Sequence, residues 1–518
     1  MAATLLSGCE SSPVPDGSAS SSATSLAPLQ EQSSNPLPEN AVAAAVAKVD
    51  GLADELMKRS GIPGMAVAVV HGGKTIYARG FGVKDVRKPA DDPANKIDPD
   101  TVFQLASLSK PLGATVVAHQ VSSNAISWDT PITSKLPWFA LSDPVVTKMV
   151  TVGDMYSHRS GLPELAGDLL EDLGYDRRYI LERLRAYPLH PFRTTYDYTN
   201  YGMTTGAEAV AASAGETWEQ LSQDVLYGPL GMTSTSSRFA DYIARPDRAV
   251  GHIQLGDEFE PDYVREPDPQ SPAGGASASA NDMTRWLTMM LSDGNYEGKQ
   301  IVDPKVLLSA LTPQTVMRPP TDPETLAQFY GYGFDLSTTA AARAQFSHSG
   351  AFELGAATNF VILPSADVAI VALTNASPVG APETLTAEFA DMVQFGEVRR
   401  DWWALYNGAF TEMKRPIGSL VGKQPPTNPA PPAPLASYAG EYRNEFWGPA
   451  RIAVKDGGLV LSLGSELTVP LKHWNGNVFS VSFTTENSYP GSVSTATFDG
   501  DTLTLEYWND YGFGTFTR

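Results

Sequence analysis

The chain has 518 residues, about three to four times the usual length of one domain, which predicts two or three domains. Hydrophobic residues make up 42% and charged residues 18% of the chain, so collagen-like, coiled-coil and wholly disordered classes are excluded. Lys and Arg number 37 against 58 Asp and Glu, which gives a net charge of −21. Because such an acidic surface repels polyanions, we expect no nucleic-acid partner.

Residues 1–40 combine the only cysteine, Cys9, with a segment rich in Ser and Pro. Leu6-Ser7-Gly8-Cys9 is similar to the lipobox of bacterial lipoprotein precursors, although only Met1 to Leu5 precede it, where a signal needs a basic start and a longer apolar stretch. We expect a truncated signal, lipidation at Cys9 and a disordered tether, hence an extracytoplasmic, cell-envelope bacterial lipoprotein whose only membrane contact is the lipid. The alternative is a chance Gly-Cys pair in a disordered tail. A single cysteine also excludes an internal disulfide.

The apolar spacing from residue 41 onward predicts a folded body over residues 41–420. It predicts, in chain order, a helix ending near residue 61, hairpin strands at 65–70 and 75–81, helices from about 108 to 230, and strands at 357–363 and 368–374. This order favours an α/β or α+β body whose sheet joins both ends of the segment around a helical insertion.

Proline marks the next boundary. Residues 421–434 carry six prolines in fourteen positions, which neither a helix nor a central strand tolerates, so we interpret them as a linker. Residues 435–518 alternate apolar and polar positions between Gly and Asp-Gly turns. About six to eight short antiparallel strands are expected there, forming a small β-barrel filled by its own side chains.

The segment Ser107-Leu108-Ser109-Lys110 is the strongest candidate for chemistry. Proline is tolerated only in the first turn of a helix, so Pro111 predicts a helix that starts at or just before Ser107. Side chains at i and i+3 share a helix face, which brings the Lys110 amine within reach of the Ser107 hydroxyl. A buried lysine of lowered pKa can activate a serine nucleophile. The alternative is that Ser107 caps the helix and Lys110 is a surface charge.

Three motifs in order then carry a family resemblance: Ser107-x-x-Lys110, Tyr198-Thr199-Asn200 and His348-Ser349-Gly350. The set resembles that of serine β-lactamases and penicillin-binding proteins, most closely the class C branch, which also holds esterases and D-aminopeptidases. Further similarities lie in residues 157–163, 229–233 and 271–275. The resemblance implies an antiparallel sheet flanked by helices with an all-helical subdomain.

The resemblance also implies roles for the catalytic groups. Ser107 would be the acyl-accepting nucleophile, and Lys110 and Tyr198 would share the roles of general base and acid. The backbone N–H groups of Ser107 and Ala351 would form the oxyanion hole, where donors aimed at developing charge stabilise the transition state. No metal or organic cofactor is expected.

The third motif bears on the substrate. Asn200 would hold Lys110 and the substrate's amide or ester group, with His348, Ser349 and Gly350 as further support. Relatives that recognise penicillin carry lysine where this chain has His348, and a mostly neutral histidine attracts a substrate carboxylate only weakly. Ala351, where many relatives have glycine, narrows the approach to the oxyanion hole.

We therefore expect hydrolysis of small esters, amides or peptides, as by an esterase or a D-aminopeptidase or DD-peptidase. The alternatives are a β-lactamase proper and a non-catalytic binding or assembly protein that retains the fold. Residues 438–442 and 473–474 resemble the lipocalin-like barrel that often follows such domains. That resemblance implies that the barrel covers or narrows the cleft or assists formation of an oligomer.

Overall fold

The computed structural model describes residues 35–518, so the candidate lipidation site at Cys9 lies outside the described residues. The helices of the body are α1 (Ala41–Val46), α2 (Val49–Ser60), α3 (Ser109–Ser122), α4 (Pro144–Met149), α5 (Val152–Tyr156), α6 (Asp168–Glu171), α7 (Arg177–Arg183), α8 (Asn200–Ala214), α9 (Trp218–Ser222), α10 (Phe239–Ala244), α11 (Ser271–Gly274), α12 (Ala280–Leu291), α13 (Pro304–Ala310), α14 (Ala381–Phe395) and α15 (Trp402–Met413). Its strands are β1 (Gly64–His71), β2 (Lys74–Gly82), β3 (Val102–Gln104), β4 (Ile253–Leu255), β5 (Glu258–Glu260), β6 (Ser277–Ser279), β7 (Asn295–Tyr296), β8 (Lys299–Gln300), β9 (Thr315–Arg318), β10 (Gln328–Tyr330), β11 (Asp335–Thr338), β12 (Ala344–Phe352), β13 (Ala356–Leu363) and β14 (Val368–Thr374).

An eight-stranded antiparallel sheet in the order β2-β1-β14-β13-β12-β11-β10-β9 forms the centre of the body. The sheet joins the two ends of the body, as predicted, because β1 pairs with β14. The predicted hairpin is β1 and β2, joined through Gly72 and Gly73, whose φ angles of 60° and 69° suit a tight hairpin turn. The single helix expected before it is instead two helices, α1 and α2, with the second ending at Gly61 in the left-handed region.

The sheet separates two hydrophobic cores, and β1 supplies both. Met65, Val67 and Val69 face the core shared with α1, α2 and α14. The alternate residues of β1, including Ala66 and Ala68, face the core that contains α3 and α12. Because both faces are covered, the whole strand is apolar, and the sequence shows a continuous hydrophobic run there.

Helix α3 is the element that positions the first motif. Most of its residues are buried in the core that it shares with one face of the sheet, and α8, α11 and α13 pack against it. A helix enclosed in this way holds the residues at its first turn in a fixed place relative to the sheet.

The C-terminal segment is a closed antiparallel barrel, as predicted. Its strands are β15 (Gly440–Asn444), β16 (Gly448–Lys455), β17 (Gly458–Leu463), β18 (Leu467–Asn475), β19 (Val478–Val481), β20 (Ser494–Asp499), β21 (Thr502–Leu505) and β22 (Thr515–Thr517). Buried side chains such as Tyr442, Leu461, Phe479 and Phe498 fill the interior. The barrel has eight strands, within the predicted range of six to eight. Among residues 35–518, no helix is both long and apolar enough to cross a membrane.

Candidate active site

Ser107 lies in a short 3-10 turn, Ala106–Leu108, that runs directly into α3 at Ser109. Ala106 has a φ angle of 47°, which costs energy for a residue with a Cβ atom. The Ser109 hydroxyl holds this turn by donating to the Ala106 carbonyl oxygen at 2.7 Å. Ser107 is therefore presented at the N-terminal end of a buried helix.

The Lys110 amine makes three polar contacts, all within hydrogen-bond distance. Its Nζ lies 2.9 Å from Ser107 Oγ, 2.7 Å from Asn200 Oδ1 and 2.9 Å from the Ala273 carbonyl oxygen of α11. Burial lowers the pKa of Lys110 to about 7, against the nearby carboxyl groups of Asp168 and Asp335, which raise it. A neutral amine has two N–H bonds and one lone pair. The two carbonyl oxygens accept both N–H bonds, which leaves the lone pair for the Ser107 hydroxyl proton.

Tyr198 completes the contacts of the Ser107 hydroxyl. Its phenol donates to Ser107 Oγ at 2.7 Å, and its ring lies 4.5 Å from Lys110 Nζ. Burial raises the pKa of Tyr198 well above its usual value, so the phenol stays protonated at neutral pH. The motif sits at the start of α8, where the Thr199 N–H donates to His158 Nδ1 at 3.1 Å. Ser107 Oγ thus has a proton donor on one side and a base on the other.

Asn200 links Lys110 to a carboxyl group that sequence reasoning missed. While its Oδ1 accepts from Lys110, its Nδ2 donates to Asp168 Oδ2 at 2.7 Å. Burial, followed by the neighbouring Glu171, raises the pKa of Asp168 to about 8. In the sequence, Asp168 looks like any acidic residue in the first turn of a short helix.

His348 lies on β12 with its ring centroid 6.5 Å from that of Tyr198, and its imidazole is neutral. Its Nδ1–H donates to the Ser349 carbonyl oxygen at 2.7 Å, and its Nε2 accepts from the Tyr330 hydroxyl at 2.9 Å. Burial, followed by the charge of Lys110, lowers the pKa of His348 to about 3. No positive charge is therefore available from this side chain at neutral pH.

The two residues after His348 are placed differently. The Ser349 hydroxyl donates to the Glu383 carboxylate of α14, so the structure directs this side chain towards α14 rather than towards Ser107. Burial raises the pKa of Glu383 to about 7. Gly350, by contrast, lies against the turn Ala106–Leu108, here named the nucleophile turn after the role expected of Ser107. A Cβ atom at Gly350 would be 2.4 Å from the Leu105 carbonyl oxygen and 3.0 Å from the Ser107 nitrogen.

The edge of β12 faces this turn because the neighbouring strand stops short. Strand β11 pairs with β12 only as far as Ser347, whereas β13 pairs along it to Phe352. Gly350 and Ala351 therefore lie beyond the reach of β11, and the backbone of Gly350 comes close to the Ser107 nitrogen.

Within residues 35–518, no cluster of His, Cys, Asp and Glu side chains is arranged to hold a metal ion.

Two family models match the chain. The model described as Beta-lactamase matches residues 49–392, more than half of the sequence. The chain belongs to the beta-lactamase family. A second model, a domain of unknown function named DUF3471, matches residues 424–505 and covers most of the barrel. The resemblance drawn from the three motifs is confirmed.

The chain is also similar to curated proteins, and its fold is similar to that of a solved structure. The chain is 26% identical over 418 residues to unguisins hydrolase ungD' of Aspergillus campestris, covering 76% of this chain and 74% of that protein. It is 25% identical over 391 residues to esterase EstB of Burkholderia gladioli, covering 68% of this chain and 95% of that protein. The octameric penicillin-binding protein homologue from Pyrococcus abyssi has a TM-score of 0.58 at 17% identity, covering 89% of this chain and 98% of that chain. The predicted mixed α/β body with a C-terminal barrel is confirmed.

The close approach at Gly350 gives a first testable expectation for this beta-lactamase-family site. A Gly350→Ala substitution would place a Cβ atom 2.3 Å from Thr358 Oγ1 and 2.4 Å from the Leu105 carbonyl oxygen, so β12 must shift away from the nucleophile turn. Because displacement of a reacting group by about 1 Å can cost roughly 10²-fold in rate, we expect Ser107 to react with a fluorophosphonate about 10²-fold more slowly. The rate is measured by intact mass.

The matched control is Gly51→Ala on α2, where an added Cβ meets no described atom within 4 Å. Alanine there improves helix propensity, so labelling and thermal stability should equal or exceed those of the wild type. Labelling of Gly350→Ala at the wild-type rate would show that the approach of β12 to Ser107 is unimportant for its reactivity.

Proposed function

We propose that this protein is a serine hydrolase that cleaves small esters, amides or peptides through an acyl-enzyme on Ser107. One observation carries the proposal. Ser107 Oγ lies 2.9 Å from an amine whose pKa is lowered to about 7 and 2.7 Å from a protonated phenol. A weak nucleophile thus has a base to take its proton and an acid to serve the leaving group.

Acylation uses these groups in sequence. Neutral Lys110 takes the Ser107 proton as Oγ bonds to the substrate's carbonyl carbon. The backbone N–H groups of Ser107 and Ala351 are proposed to stabilise the oxyanion that forms, as the approach of Gly350 to Ser107 supports. The bond to the leaving oxygen or nitrogen then breaks as that atom accepts a proton from Tyr198, which recovers one from Lys110.

Deacylation reverses the proton path with water as the nucleophile. Water gives a proton to the Lys110 and Tyr198 pair as its oxygen bonds to the acyl carbon. The bond from that carbon to Ser107 Oγ then breaks, and Oγ regains a proton. The acid is released, and the protonation of the site returns to its starting state. Asn200 supports both halves, since it fixes Lys110 and is itself held by Asp168.

A decisive test of this proposal is covalent labelling. A fluorophosphonate or a penicillin that reacts as a substrate analogue should leave one adduct on Ser107, read by intact mass and peptide mapping. An adduct together with turnover of short-chain esters or D-amino-acid amides supports the hydrolase. The absence of an adduct with either reagent would favour a binding or assembly protein that keeps the fold. Efficient turnover of nitrocefin would favour a β-lactamase proper.

The neutral His348 predicts a preference for substrates without a carboxylate. We expect kcat/KM for the methyl ester of p-nitrophenyl succinate to exceed that for the free half-acid by about tenfold or more, since one hydrogen bond between charged groups contributes about 1.5 kcal/mol or more. The two substrates differ in that charge and in one methyl group. The net charge of −21 also disfavours binding of the anionic half-acid. Equal or faster cleavage of the half-acid would show that another cation in the cleft receives the carboxylate.

We also propose the division of the chain predicted from sequence: a tether over residues 1–40, a hydrolase body over 41–420, a linker over 421–434 and a barrel over 435–518. The support for the second boundary is that α15 ends at Met413 and β15 begins at Gly440. Lipidation of Cys9, attachment to the cell envelope and oligomer formation stay predictions.

A further inference from the structure

A loop of the barrel contacts the hydrolase body close to the elements that surround Ser107. This barrel loop, residues 482–493, connects β19 to β20. Its residues Thr485, Glu486 and Asn487 contact the body at two places, which we call the two walls of the site. One wall is α6, which carries Asp168, and the other is the turn after β12.

The first contact is with Asp172, at the C-terminal end of α6. Its Oδ2 accepts from Thr485 Oγ1 at 2.7 Å, from Asn487 Nδ2 at 3.1 Å and from the Asn487 backbone N–H at 3.3 Å. Three donors from the barrel loop thus converge on one buried carboxylate. The same short helix carries Asp168 four residues earlier, so this contact ties the barrel loop to the support of Asn200 and Lys110.

The second contact is with the turn between β12 and β13. The Glu486 carboxylate accepts the backbone N–H groups of Glu353 at 3.0 Å and Leu354 at 3.3 Å. These residues directly follow Phe352, the last residue of β12. Glu486 therefore fixes the end of the strand that carries Gly350 and Ala351.

Arg265 joins both contacts to the nucleophile turn. Its guanidinium lies 2.9 Å from Glu171, and 3.9 Å from both Asp172 and Glu486. It also lies over the Phe352 ring, 5.0 Å from the centroid. Phe352 in turn packs in one buried group with Ala106, the neighbour of Ser107.

We infer that Glu486 is a positioning residue for the hydrolysis, through which the barrel sets the separation between the α6 and β12 walls of the site. The inference rests on the proposed function. The barrel is then part of the active-site scaffold: removing the Glu486 carboxylate leaves two buried backbone N–H groups without their acceptor and lets the β12 turn move. Because Glu486 touches neither Ser107 nor Lys110, its effect must pass through β12 and Phe352.

Charged and titratable groups surround Glu486. Its replacement should therefore change the pH dependence of kcat, which loss of packing alone would not do. The titratable groups that face it are Arg265, Asp172 and Glu171 of the body, Glu353 of the turn with its neighbour Lys414, and Tyr489 of the barrel loop. Burial raises the pKa of Glu486 to about 8.

The sign of the pH effect follows from that raised pKa. Since the docked loop favours neutral Glu486, the stabilisation is complete below the ordinary pKa of a glutamate and is lost as pH rises through about 8. Ionised Glu486 then adds a negative charge to Glu171 and Asp172 around the same Arg265 guanidinium.

The test compares Glu486→Ala and Glu486→Gln with the wild type, using kcat and KM for p-nitrophenyl butyrate between pH 6 and 10. Glutamine resembles the protonated acid and keeps an acceptor for the turn. We expect Glu486→Ala to lower kcat roughly 10- to 100-fold with a smaller change in KM, since misplacement costs rate. Glu486→Gln should keep near-wild-type kcat at pH 7 and lose the fall in kcat that the wild type shows above about pH 8. The control is Glu445→Gln, an exposed glutamate elsewhere on the barrel, which should behave as wild type.

Hydrogen exchange separates this inference from the proposed function. The amides of Glu353 and Leu354 should be protected in the wild type and exchange faster in Glu486→Ala, whether or not any ester is cleaved. If the wild type neither labels nor hydrolyses, the proposed function fails while the exchange result still tests the docking. Wild-type kcat and pH profile in both variants, or unchanged exchange, would overturn the positioning role. If Glu486→Ala does not fold, the pH profile of Glu486→Gln decides.

Discussion

The Ser107→Ala variant should lose hydrolysis by about 10³- to 10⁶-fold, because the proposed acyl-enzyme forms on the Ser107 hydroxyl. The hydroxyl is the shared partner of Lys110 and Tyr198, at 2.9 and 2.7 Å, so its removal leaves the base and the acid with nothing to act on. Residual rate would come from binding and oxyanion stabilisation alone. The measurement is kcat/KM for the best ester of the panel, with fluorophosphonate labelling in parallel.

The thermal stability of each variant is measured alongside its activity. Ser107→Ala removes one hydroxyl and should retain the thermal stability of the wild type or gain slightly. Ser123→Ala is the control, since this serine lies at the far end of α3. Among its described contacts, its hydroxyl donates only to the nearby Gln120 carbonyl oxygen. It should keep wild-type activity. Ester hydrolysis by Ser107→Ala at the wild-type rate would remove Ser107 from the mechanism.

Activity should rise with pH through about 7, since Lys110 acts as a base only when neutral and burial lowers its pKa to about that value. Below this pH the amine is protonated and cannot accept the Ser107 proton. Above it the rate should level off, until the fall in kcat that we expect above about pH 8 from ionisation of Glu486. Lys110→Ala should lower kcat/KM by about 10²- to 10⁴-fold, the usual contribution of a general base, and should abolish this acid limb.

Lys110→Arg provides the sharper control for charge. Arginine stays protonated in proteins, so it retains the positive charge yet cannot take a proton. We expect a loss as large as that in Lys110→Ala. Recovery of activity in Lys110→Arg would mean that position 110 supplies charge rather than basicity, and that Tyr198 is the base.

Much of this site could be predicted from local signals. Pro111 restricts where a helix can begin, and the structure indeed places Ser107 in the turn that leads into α3. The hairpin of β1 and β2 was equally predictable, because a Gly-Gly turn between apolar runs has few alternatives. Each of these signals depends on residues adjacent in sequence.

The supporting carboxyl groups could not be predicted in this way. Asp168 is buried and Asp335 is half-buried near Lys110, yet nothing in their sequence neighbourhood distinguishes them from exposed acids. The contact between Asp172 and Asn487 joins residues 315 positions apart. The direction of the Ser349 side chain depends on Glu383 of α14, a partner that strand alternation alone does not identify. Such contacts follow from tertiary packing, which periodicity does not encode.

The pairing of β1 with β14 has a consequence for the order of assembly. Met65 lies opposite Thr374 in that pairing, so the contact closes a very long loop and gives the body a high contact order. Ser107 emerges from the ribosome early, but the strand that completes its surroundings, β12, follows more than two hundred residues later. Ser107 is therefore synthesised well before the groups that surround it in the folded protein, and we expect it to be unreactive in a nascent or truncated chain. Activity should appear only as the last strands join the sheet, which makes it a sensitive probe of the final step of folding.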